Sequence, residues 1–169
     1  MLKAIKILQL MFLAALPGAL SAAENALTLT PGHCSGYMPI ILEYQAKSAE
    51  ESKVSEYSGG LHLLQAQRDR EDAKRHIDNR PLMKELHASQ AASDFDSDYA
   101  YAADIANQQA AFLSAATQEQ FQREPEIFED VGADIRYMEE LCESMMADAV
   151  KIGNNRALGA FFDSVTNDD

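Results

Sequence analysis

Positive charge is scarce in this chain: 14 lysines and arginines stand against 27 aspartates and glutamates, a formal net charge of −13. That deficit excludes nucleic acid and an anionic membrane surface as the main partner, because both are held by a surplus of basic side chains. Tryptophan is absent, and eight glycines and five prolines in 169 residues are too few for a repeat array or a disordered low-complexity chain. No run reaches the roughly 18 consecutive apolar residues of a membrane span. Nor does any stretch alternate apolar and polar residues for long enough to argue for a sheet.

Catalytic signatures are missing as well. The chain contains no G-x-S-x-G, no G-x-x-x-x-G-K-[ST] and no G-x-G-x-x-G. H-E-x-x-H is absent, and the residues three places before the four histidines are Thr30, Gly59, Ala73 and Lys84, so the Glu-x-x-His pattern of di-iron bundles is absent too. Without C-x-x-C-H there is no covalent haem attachment. Asp94-Phe95-Asp96-Ser97-Asp98 begins like a calcium loop, but Tyr99 and Ile105 occupy the positions that need glycine and a bidentate glutamate. The cluster reads instead as a capped helix N-terminus. His62, His76 and His87 are spaced 14 and 11 residues apart, but Pro81 lies between the last two, and the four histidines read as surface or half-buried residues. The pairs Asp130/Asp134 and Glu139/Glu143, each one helical turn apart, read as a solvated face.

What is present begins with an export signal. Lys3 and Lys6 precede an apolar run from Ile7 to Leu16, Pro17-Gly18 breaks it, and Ser21-Ala22-Ala23 offers small residues for cleavage before Glu24. Residues 1–23 thus read as a signal peptide, and 24–169 as a single helical domain that is periplasmic or secreted. Removing Lys3 and Lys6 leaves 12 of the 14 basic residues against 27 acidic ones, a net of −15.

Helical periodicity dominates the rest. From Pro125 the apolar residues Ile127, Phe128, Val131, Ile135, Met138, Cys142, Met145, Ala149 and Ile152 recur at steps of three and four, one side of a helix. Pro125 suits a first helical position, and Gly153-Asn154-Asn155 is expected to stop the helix. This stretch is expected to be the spine of the fold. An N-terminal arm (24–34) leads to a helix from about Ser35 to Tyr57, with Pro39 in its first turn. Weaker periodicity marks 61–78, with Leu61, Leu64, Ala66, Ala73 and Ile77 apolar, and a short helix follows Pro81. An alanine-rich helix spans about 97–116, where small residues would admit a close neighbour, and 156–169 reads as a short terminal helix and tail. The fold class is therefore all-α, a mainly antiparallel bundle of four to five helices.

Cys34 and Cys142 are the only cysteines. In an oxidising compartment they are expected to pair, closing a loop of over 100 residues, worth about 4.7 kcal/mol on the chain-entropy account. Residues 53–84 hold seven basic and five acidic side chains, whereas 94–148 hold fourteen acidic and two basic, an asymmetry that would set the register of neighbouring helices. Cys34-Ser35-Gly36-Tyr37 resembles the C-x-G-Y stretch found early in small secreted helical immunity proteins of the Tai type. Pro39 and Ile40 stand where their further glycine would follow, their extra cysteines are absent, and no family is assigned on these four residues.

The functional expectation is a non-catalytic protein without a cofactor that binds a basic protein partner, in an interaction, immunity-like or chaperone-like role. The residues expected to meet that partner are Asp94, Asp96, Asp98, Glu139, Glu140 and Glu143. The competing reading is a ligand- or cofactor-carrying bundle, with haem or a divalent metal between Met138, Met145 or Met146 and His62 or His76.

Overall fold

A computed structural model describes residues 29–51 and 59–166, with side chains as far as residue 160. The expected signal peptide, most of the expected N-terminal arm, residues 52–57 of the expected first helix and the side chains of Phe161, Phe162 and Val165 lie outside the described residues. Those described are all-helical and form six helices: α1 (Pro31–Glu51), α2 (Gly59–Asp78), α3 (Arg80–Gln90), α4 (Phe95–Ala115), α5 (Gln118–Arg123) and α6 (Pro125–Thr166). Cys34 on α1 and Cys142 on α6 form a disulfide, with Cα atoms 5.2 Å apart.

The helix at the centre is α1, not the expected spine. It packs against α4, α2, α6 and α3, whereas α6 lies mainly on α3 and α1. Every residue from Pro31 to Met38 is buried, and Ile41, Leu42 and Ala46 continue the inward face. Such an all-round apolar segment belongs in the middle of a core, while a striped helix such as α6 belongs at its edge. The helix also starts earlier than expected. Thr30 precedes it, with its Oγ1 3.4 Å from the His33 N–H, so Cys34 lies within the first turns and Pro39 lies inside the helix.

Close approach decides how α4 meets α1. A Cβ added at Gly36 would run into the backbone carbonyl of Tyr99, and one added at Gly32 would sit 2.9 Å from both Asp98 Cβ and the Phe95 carbonyl oxygen. Ala102 and Ala106 are buried on the same contact, as the alanine-rich pattern anticipated. Asp94 caps α4 by accepting the Ser97 N–H at 2.9 Å. Buried Tyr37 donates its hydroxyl hydrogen bond to Gln109 of α4.

Two boundaries differ from expectation. The helix does not stop at Gly153-Asn154-Asn155 but continues to Thr166. Gly153 is used for contact instead of a left-handed turn: a Cβ there would lie 3.0 Å from Leu82 Cδ1, and no glycine among the described residues has positive φ. Between α4 and α6, where no helix was expected from the periodicity, Thr117 to Glu124 contains α5, held by a capping box between Thr117 and Gln120. Phe121 of α5 stacks on Phe128 of α6 with ring centroids 3.9 Å apart.

Candidate functional site

Polar side chains gather at two places on α1. At its N-terminal end they form a closed knot. Thr30 donates to Asp98 Oδ2 at 2.6 Å, Ser93 donates to the same oxygen at 2.7 Å, and His33 Nδ1 lies 2.8 Å from the Thr30 hydroxyl and 3.5 Å from Asp98. His87 Nδ1 accepts the Gly32 N–H at 3.3 Å, and its Nε2 lies 2.9 Å from the Ser93 carbonyl oxygen. Both ring nitrogens of His87 are thereby engaged, one with the α1 backbone and the other with the turn before α4. Burial pushes the His33 pKa down, more strongly than Asp98 pulls it up. Desolvation would raise Asp98, but the hydrogen bonds from Thr30 and Ser93 and the nearby His33 and His87 hold it below the usual carboxylate range. Thr30, Ser93, Asp98 and both ring nitrogens of His87 are engaged with one another or with the backbone, so the knot joins α1, α3 and the start of α4.

Toward the other end of α1 lies an open groove of about 630 Å³ between α1, α2 and α6. Met38 and Leu42 form an apolar floor. Its walls carry four carboxylates, Asp69 and Asp72 from α2 and Glu139 and Glu143 from α6, against two guanidiniums, Arg68 and Arg75. Arg75 is already engaged, 2.6 Å from Glu143 and 3.4 Å from Asp72. Asp69 and Glu139 are held differently, each by a neutral amide: Gln65 donates to Asp69 at 2.7 Å and Gln45 donates to Glu139 at 2.6 Å. Asp69 is only 6 % exposed, and burial pushes its carboxyl pKa up, with Asp72 adding to the rise and the Gln65 hydrogen bond and the Arg68 charge opposing it. Behind the wall His76 is 1 % exposed. Its Nε2 lies 3.4 Å from Glu143 Oε1 without hydrogen-bond alignment, and its Nδ1 has no partner. Burial lowers the His76 pKa, with Glu143 opposing.

The six expected partner-binding acids divide between these surroundings. Asp98 is part of the knot, and Asp94 is spent on the α4 cap. Asp96 is exposed and lies 3.1 Å from Lys84 and 3.6 Å from Arg80. Glu139 and Glu143 come together in the groove, while Glu140 is exposed and does not line it. The ion pairs Arg75–Glu143, Arg80–Asp96 and Lys84–Asp96 join basic residues of α2 and α3 to acids of α6 and α4, in the sense the charge asymmetry suggested, while Arg156–Glu85 joins a base of α6 to an acid of α3.

Three readings of side chains are corrected. Three of the four histidines, His33, His76 and His87, are buried, where surface or half-buried positions were expected. The knot's hydroxyls and carbonyls satisfy two of them, which removes most of the cost of burial. In α2 the inward face is Ala66, Asp69, Ala73 and His76, while Leu61, Leu64 and Ile77 are 70 %, 64 % and 59 % exposed. The alanines let α2 lie close on α1 and carry Asp69 and His76 inward with them. Glu139 and Glu143 are half-buried, not simply a wet face.

Met138 and Met146 are buried core residues, and Met145 Sδ lies 3.6 Å from Cys34 Sγ. Among the described residues no group of three or more His, Cys, Asp or Glu side chains is arranged to hold a metal ion, and no helix is long and apolar enough to cross a membrane. No family model, no curated protein and no solved structure matches the chain.

Proposed function

We propose that this is an exported, non-catalytic protein that binds a basic protein partner, carried on an antiparallel helical bundle fastened by the Cys34–Cys142 disulfide. The observation that carries the reading is the groove's charge balance: four carboxylates against two guanidiniums, with Asp69 and Glu139 held by neutral amides. A carboxylate partly removed from water and left without a cation is costly alone and gains when a cation arrives. The overall negative charge would steer a basic partner toward the surface. The leader sequence and the disulfide both suit an oxidising compartment outside the cytoplasm.

Capture from an envelope extract at low and high salt tests the reading. Basic proteins should be retained at low salt and released at high salt, because screening shortens the reach of surface charge. Capture of nothing, or capture that salt does not alter, contradicts it.

A further inference from the structure

Resting on that reading, we infer that the groove between α1, α2 and α6 is where the partner docks, and that it receives a lysine or arginine side chain with its aliphatic stem on Met38 and Leu42 and its cationic head between Asp69 and Glu139. Three features of the groove point to such an occupant. Its floor is apolar and its walls are acidic, which matches a side chain whose stem is hydrocarbon and whose tip is charged. Gln65 and Gln45 orient Asp69 and Glu139 without neutralising them, so the carboxylates are positioned in advance and their charge is unspent. Finally His76, 1 % exposed and with no hydrogen-bonded ring nitrogen, faces Glu143 from behind at 3.4 Å, so this wall has polar capacity the fold itself does not use. At the other end of α1 the one carboxylate of the knot, Asp98, accepts from both Thr30 and Ser93 and lies 3.5 Å from His33, so its oxygens are used in joining helices.

The test is a titration of the disulfide-bonded protein with a hexalysine peptide at low ionic strength, followed by calorimetry and by amide chemical shifts. The side-chain amides of Gln45 and Gln65 should shift first. A variant with Asp69→Asn and Glu139→Gln should bind at least about tenfold more weakly, the equivalent of about 1.4 kcal/mol. A control with Asp96→Asn and Glu140→Gln removes the same charge elsewhere and should bind within about threefold of the unaltered protein. Equal weakening by both variants, or shifts confined to the Asp94–Asp98 end, overturns the groove assignment and leaves the basic-partner reading standing. Salt-sensitive capture of a basic protein that persists in the groove variant has the same meaning. No binding of hexalysine at all overturns both. The shift map on the unaltered protein needs no substitution, so the result does not depend on how a variant folds.

Discussion

The two ends of α1 hold the same kinds of groups, histidines beside carboxylates, and use them in opposite ways. At the N-terminal end Asp98 accepts two hydroxyl hydrogen bonds, His87 uses both ring nitrogens, and the result joins helices. Toward the other end Asp69 and Glu139 receive neutral amide donors, and His76 has no aligned hydrogen bond. A satisfied polar cluster stabilises a fold, whereas one left partly satisfied beside open space stores capacity for something else. The difference cannot be seen in residue types, only in what each group faces.

That contrast sets out what substitutions should do. The largest effect belongs to the closed end. Gly36→Ala forces a side-chain atom against the Tyr99 backbone, which cannot retreat like a flexible side chain, and should cost about 3 kcal/mol or more in chemical denaturation. Asp98→Ala strands the buried Thr30 hydroxyl and the His33 ring, and should cost about 2–3 kcal/mol. A loss below about 0.5 kcal/mol would mean that the knot is not structural.

The pH dependence comes next and involves both ends. His33 and His76 have pKa values pushed below 6.5 by burial, so below that value the unfolded chain binds more protons than the folded one. Stability should therefore rise with pH up to about 6.5 and fall as the medium is acidified below it, each histidine contributing at most about 1.4 kcal/mol per pH unit. Denaturation midpoints between about pH 5 and 7 check this, and His76→Leu should flatten the profile. An unchanged slope would show that Glu143 and Asp72 offset the combined effect of burial and the Arg75 charge on the ring.

The smallest effects belong to the open end. Glu139→Gln should change stability by no more than about 0.5 kcal/mol, and Asp69→Asn should leave it unchanged or raise it by a similar amount, because a partly buried charge without a cation is replaced by a neutral amide. If Asp69→Asn instead destabilises by about 2 kcal/mol, the groove is structural after all and the contrast fails.

Most of the helical architecture was legible in the sequence because it follows from local spacing. Steps of three and four marked every long helix, Pro125 its start in α6, and the two cysteines their bridge. Distance along the chain hid the rest. That Gly153 meets Leu82 instead of ending a helix depends on a partner about 70 residues away. In α2 the leucines outweighed the alanines in any reading by hydrophobicity, yet a tight helix contact selects for small volume, and the Ala66–Asp69–Ala73–His76 face turned inward. Following the small residues would have found Asp69 and His76. Nothing in the sequence showed which acids keep cationic partners and which do not, because those partners come from other helices.

The most direct test is a carboxyl-carbon NMR titration that reads Asp69 in the free protein and again with hexalysine bound. Asp69 is expected to titrate above the ordinary 3.8 in the free protein, because burial outweighs the Gln65 hydrogen bond and the Arg68 charge, and its pKa is expected to fall when the peptide is present. An Asp69 that titrates at or below 3.8 before any peptide is added would mean that its charge is already neutralised, and would contradict the account.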